Sequence, residues 1–247
     1  MLIQSLDNKK IKKYMELKTS KGRKIQQLFL VEGMHLCEEA WKKGYLYDVL
    51  LLENEELSFA YDKEITYVRE NILKKMSMLT TPSNVIGVCK MIVKKEIKGN
   101  SILLLDDIGD PGNMGTIIRS AKAFNVDTII LSPNSVDIYN DKVLRSTQGM
   151  LFDINIMYAN LEEVIPKLKK DGFIILGTDV KDGCDVRNTK YLKYALIMGN
   201  EGHGVSEKIK KLCDKNLYIK MNKNCESLNV GVATSILLYE LDRGQNE

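Results

Sequence analysis

SILLLDDIGDPGNMGTIIRSAKAFNVDTIIL, residues 101–131, is the stretch on which the fold turns. Its apolar run, Ile102 to Leu105, is short and unbroken, as in a strand buried on both faces. Asp106 to Asn113 then brings together Gly, Asp, Pro and Asn, the residues of a turn. A helical pattern occupies about 114–124, and Asn113 fits the position before it, where a side-chain oxygen caps free amides. Thr128 to Leu131 is a second strand. Strand, helix and strand in so short a span predict a βαβ unit and a parallel sheet.

The same rhythm runs on toward the C-terminus. Strands are expected at Ile154 to Met157, Phe173 to Gly177, Tyr194 to Met198 and Leu217 to Ile219. Helices are expected at about 140–148, 160–170, 205–211 and 229–242. This predicts an α/β domain with a mostly parallel sheet covered on both faces. Ligands of such sheets bind beyond the carboxyl ends of the strands. On the N-terminal side the rhythm breaks at MIVKKEIKGN, residues 91–100, a charged seam. A domain boundary is expected there, dividing 1–96 from 97–247. Before the seam, Leu28 to Val31, Tyr47 to Leu52, Ile65 to Val68 and Val85 to Met91 read as strands, and 33–43 and 69–77 as helices: a small α/β unit.

Charge is distributed unevenly over the 247 residues. The whole chain carries +3, but residues 1–30 hold eight cations and two anions, +6, which leaves −3 for the rest. Lys9, Lys10, Lys12, Lys13, Arg23 and Lys24 make this a basic arm suited to a phosphate backbone. The five cysteines form no C-x-x-C pair and no zinc set, so no metal is expected and the thiols read as reduced. Neither an apolar leader nor a run long enough to span a bilayer is visible, and a cytoplasmic protein without a membrane partner is expected.

Two further loops follow expected strands. IMGNEGHGVSE, residues 197–207, runs from a strand into Gly199, Gly202 and Gly204, leaving backbone groups open to a flat polar ligand. Its order, G-x-x-G-x-G, is not the dinucleotide fingerprint, and Glu201 inside it would repel a pyrophosphate. His203 is read as a surface residue. YIKMNKNCESLNVGVATSILLYEL, residues 218–241, passes through a polar loop, and Ser227 or Asn229 opens a strongly apolar helix that must be largely buried.

N-x-G-x-x-x-R in DPGNMGTIIRSAKAFNVD, then GNEGHGVS, then ESLNVGVATSILLYE, resemble in order and spacing the three motifs of the SpoU/TrmH family of the SPOUT class. The segment from the basic arm through FLVEG and EEAWKKG is similar to the small RNA-binding domain that often precedes this catalytic half. The resemblance implies a C-terminal parallel-sheet SPOUT domain with a trefoil knot, a homodimer through its last helix, and transfer of a methyl group from S-adenosylmethionine to a ribose 2′-hydroxyl of RNA. Ribosomal RNA is implied ahead of transfer RNA. The implied cofactor contacts are Gly199, Ile219 and Leu228, with backbone near Gly177, Thr178, Met198 and Met221. Arg119 is implied to act on the ribose as base or electrostatic stabiliser, with Asn113, Glu201, Ser227 and Asn229 orienting it and the target nucleotide, and with Glu201 paired to Arg119. Lys223, Cys225 and Gly231 depart from the family pattern in the third motif. A non-catalytic RNA-binding protein, a base-nitrogen methyltransferase and a Rossmann-type enzyme are the competing readings. The joint presence of the five polar site residues speaks against the first, Arg119 with Ser-Leu-Asn against the second, and the missing fingerprint against the third.

Overall fold

The computed structural model describes residues 1–92, 96–180, 183–188 and 190–246; residues 93–95 of the charged seam lie outside them. The chain folds as two compact units, Met1–Ile92 with Tyr139–Phe152, and Val93–Ile138 with Asp153–Glu247. Tyr139–Phe152, expected within the C-terminal half, thus packs with the N-terminal unit.

The first unit contains β1 (Leu2–Ile3), α1 (Lys9–Met15), α2 (Ser20–Gln26), β2 (Leu28–Glu32), α3 (Met34–Lys42), β3 (Leu46–Leu52), β4 (Thr66–Val68), α4 (Glu70–Met76) and β5 (Val85–Lys90). Its sheet has the order β1-β4-β3-β5-β2. The β1–β4 and β4–β3 pairs are parallel, and β5 runs antiparallel to both β3 and β2. The basic segment is not an arm. It folds into α1, a 3-10 turn and α2, because Ile11, Tyr14 and Leu17 recur at helical spacing and are buried against Val68, Ile72 and Met76. Asn8 caps α1 and Thr19 caps α2 with their side chains.

The second unit is built on β6 (Ser101–Asp106), α5 (Pro111–Ala123) and β7 (Thr128–Leu131). After α6 (Asp141–Ser146), which lies in the returning segment of the first unit, come β8 (Asn155–Tyr158), α7 (Leu161–Lys170), β9 (Ile174–Thr178), β10 (Cys184–Asp185), β11 (Tyr194–Gly199), α8 (Glu207–Lys210), β12 (Lys215–Tyr218) and α9 (Val230–Asn246). The seven strands take the order β10-β12-β9-β11-β6-β7-β8, and every pair is parallel. The central strands β6, β7 and β11 are buried from end to end because both faces of the sheet are covered there. One face, with Ile102, Leu104, Ile130 and Ile197, packs on Leu161, Ile165 and Leu168 of α7. The chain then leaves β12 near one edge of the sheet and returns to lay α9 against α5 and β11. Among the described residues no helix is long and apolar enough to cross a membrane.

Candidate active site

The site forms where the strand order reverses. Next to β6 lie β7 on one side and β11 on the other, so the loops that follow β6 and β11 leave a crevice between them.

The first loop enters α5 earlier than expected. Pro111 takes the first helical position and Asp110 is the cap, accepting the Asn113 amide at 2.8 Å. Asn113 is therefore not the cap but sits in the first turn, with its side chain free to bond elsewhere.

The second loop folds back on itself. Asn200 and Gly204 exchange backbone hydrogen bonds of 3.0 and 2.9 Å, and the Asn200 carboxamide accepts the Gly202 amide at 2.8 Å. Gly199 is obligatory here, because a Cβ would run into the backbone of Gly204 and Val205. The third loop ends at Asn229, whose Oδ1 accepts the amides of Gly231 and Val232 at 2.9 and 3.3 Å and so caps α9. Of the two residues proposed from sequence, Asn229 is the cap.

One chain of hydrogen bonds joins all three loops. Asn113 Nδ2 donates to Glu201 Oε1 at 3.0 Å, and Asn229 Nδ2 donates to Asn113 Oδ1 at 2.8 Å. The polarity follows from the ends: an ionised carboxylate only accepts and the α9 amides only donate, so each Asn carboxamide between them has a single orientation. Glu201 also accepts the Gly109 and Asp110 amides, at 3.2 and 3.0 Å. Partial burial alone would raise the Glu201 carboxyl, but the hydrogen bonds from Asn113 and from these amides outweigh it and hold it below its ordinary value.

Around this chain lies a cavity of about 600 Å³, in the range of small-molecule sites. Thr178, Met198, Gly199, Ile219, Met221 and Leu228 line it, as do Asn113, Glu201, Ser227 and Asn229. Gly177 does not. It is buried, and a Cβ there would run into the side chains of Asn216 and Cys213. Arg119 is also absent from the lining: it is exposed on α5, and among the described residues it makes no hydrogen bond or ion pair. The expected Glu201–Arg119 pair does not form, because Glu201 is already engaged by three donors. Sequence reasoning missed Asp179, Asn200, His203, Lys210 and Glu226, which also line the cavity. Asn200, His203 and Glu226 stand within quoted motifs; Asp179 and Lys210 are brought in only by tertiary folding.

The walls fit S-adenosylmethionine. Met198, Leu217, Ile219, Leu228 and Leu237 give an apolar surface for an adenine, Gly199, Gly202 and Gly204 expose backbone, and Asp179, Glu201 and Glu226 give the negative charge that a sulfonium and an ammonium require. No group of His, Cys, Asp or Glu suited to a metal occurs among the described residues.

The basic residues of the first unit divide. Lys10 Nζ pairs with the buried Asp48 at 2.6 Å and donates to Thr66 at 2.7 Å, while Arg23 donates to the Leu17 and Lys18 carbonyls. These two are structural. Lys12 pairs with Asp7, and Lys9, Lys13 and Lys24 stand exposed.

Comparison with known proteins agrees with this geometry. Residues 100–239 match the SpoU rRNA Methylase family, and residues 8–87 match the MRM3-like substrate binding domain. The 23S rRNA (guanosine(2553)-2'-O)-methyltransferase RlmP of Bacillus subtilis is 35% identical over 97% of this chain and 98% of its own. Among solved structures, the SpoU methyltransferase AviRb of Streptomyces viridochromogenes in complex with AdoMet superposes with a TM-score of 0.85 at 26% identity, covering 97% of this chain and 99% of that one. An AdoMet-bound rRNA methyltransferase from Sinorhizobium meliloti gives 0.85 at 27% identity, over 98% of this chain and 97% of that one. With three motif loops drawn around one cavity and a family match across the unit that holds them, this chain belongs to the SpoU rRNA methylase family.

Proposed function

We infer that this chain transfers the methyl group of S-adenosylmethionine to a ribose 2′-hydroxyl of 23S ribosomal RNA. The observation that carries the reading is the Glu201–Asn113–Asn229 chain of hydrogen bonds, which ties three distant motifs into one wall of a cavity fit for the donor. Bound there, the donor supplies an electrophilic methyl carbon, so the protein has to hold and sharpen the hydroxyl. Gly199, Ile219 and Leu228, with Thr178, Met198 and Met221, bind the donor. Asn113, Ser227 and Asn229 hold the acceptor nucleotide at the mouth, and Glu201 fixes Asn113. Arg119 meets the ribose or its phosphate from its exposed position and stabilises negative charge on the oxygen as it develops. A guanidinium keeps its proton, so this role suits Arg119 better than that of base.

The first unit binds RNA, with Lys9, Lys13 and Lys24 toward the phosphates. The return of the chain from β12 to α9 is the threaded segment of a knot, and α9 joins two copies as a homodimer in the cytoplasm: its Val232 is 47% and its Tyr239 52% exposed. The test is calorimetry of the donor, followed by transfer of labelled methyl to ribosomal RNA that lacks the modification. Saturable uptake and RNA labelling are expected; absence of donor binding contradicts the reading.

A further inference from the structure

Asp107 is the residue on which the first loop pivots. Its φ is 58°, the left-handed region that side-chain-bearing residues seldom occupy and that Asn and Asp tolerate best. Its amide, its carbonyl and one carboxylate oxygen are all engaged. Its amide donates to Ser132 Oγ at 2.9 Å, and the Ser132 hydroxyl donates back to Asp107 Oδ1 at 2.6 Å. Because that single hydroxyl proton is committed, Ser135, 3.0 Å away, must donate to Ser132. Both serines are buried. On its other side the Asp107 carbonyl accepts from Asn200 Nδ2 at 2.8 Å, across the crevice from the loop that follows β11. Asn200 needs both ends of its carboxamide, one for Asp107 and one for the Gly202 amide.

We propose that Asp107, clamped between Ser132 and Asn200, is a positioning residue for methyl transfer. It sets the direction in which residues 108–110 leave β6, and thereby aims the Gly109 and Asp110 amides at Glu201 and places Asn113 between Glu201 and Asn229. Asp107 does not itself line the cavity; it acts through the loop, whose Gly109 and Asp110 amides and Asn113 side chain all meet Glu201. The inference rests on the methyltransferase reading for its rate readout, and on amide exchange for a readout that does not.

Asp107→Asn keeps the left-handed preference and an oxygen for Ser132; Asp107→Ala removes both. In the full-length protein, Asp107→Ala is expected to lower kcat at least tenfold, to leave the Kd for S-adenosylmethionine within threefold, and to speed exchange of the Gly109 and Asp110 amides at least tenfold. Asp107→Asn stays within threefold of wild type on all three. Ser132→Ala, which spares the backbone conformation and removes the anchor, shows the same pattern in weaker form and serves should Asp107→Ala not fold. Asp107→Ala with rate and exchange within twofold of wild type overturns the proposal, as does Asp107→Asn as impaired as Asp107→Ala, which would assign the effect to the carboxylate charge. If wild type transfers no methyl group, the functional reading fails while the exchange data still decide the positioning role.

Discussion

The residues of the site carry opposite lessons about reading chemistry from sequence. Asn113, Glu201 and Asn229 were legible as site residues because each stands in a quoted motif beside glycines, and folding brings all three together. The Glu201–Arg119 pair was not legible, because the partners of a carboxylate depend on which backbone amides the fold turns toward it, here those of Gly109 and Asp110. From its exposed position, unpaired among the described residues, Arg119 should serve substrate alone. Arg119→Ala is predicted to reduce turnover at least ~100-fold, the scale of one lost electrostatic contact to a transition state, with donor affinity little changed; equal loss of both in steady-state and calorimetric measurements would relocate it. Glu201 has a carboxyl held below its ordinary value, so its contribution to stability is complete above its unfolded value and is lost as pH falls through the lower folded one. Glu201→Gln should flatten the fall in Tm between about pH 5 and pH 3 relative to wild type.

At the scale of elements, strand and helix positions in the second unit followed from alternation of apolar runs with amphipathic ones: every strand but the two-residue edge strand β10, which has no apolar run to announce it, falls within a few residues of one expected. Helix α5 starts at Pro111, ahead of the expected start near Met114, and its signal is in the sequence: Asp110-Pro111 is a cap followed by a first-turn proline. Asp110→Ala removes the cap from the Asn113 amide. It should destabilise by about 1 kcal/mol and lower Tm by about 2–4 °C, read by thermal denaturation. The helices α1 and α2 were hidden under their lysines. The apolar positions of α1 and the 3-10 turn, Ile11, Tyr14 and Leu17, are few, α2 buries only Gly22, and the charge pattern reads equally as an arm.

Across the whole molecule, the partner that holds the basic segment could not be found in a string. Asp48 lies far along the chain from Lys10, yet it binds both Lys10 and the Tyr14 hydroxyl, at 2.6 and 2.7 Å. Burial foremost, and then the bond to Asp48, push the Tyr14 hydroxyl far up, so it stays a donor at any physiological pH. Lys10→Ala should therefore act as a stability variant, losing about 1–3 kcal/mol, because it leaves a largely buried carboxylate short of its cation. The triple replacement of Lys9, Lys13 and Lys24 by Ala should leave Tm unchanged, weaken RNA binding and make the dependence of log affinity on log salt shallower by about 2–3, measured by filter binding across salt. The return of Tyr139–Phe152 to the first unit was not legible, since sequence patterns do not report which unit a short helix packs on.

Alkaline hydrolysis of RNA labelled by this protein from methyl-labelled S-adenosylmethionine decides the chemistry in one step. A methylated 2′-oxygen cannot attack the neighbouring phosphate, so the account predicts label retained in alkali-resistant dinucleotides of 23S rRNA. Label released entirely as mononucleotides would place the methyl group on a base and contradict it.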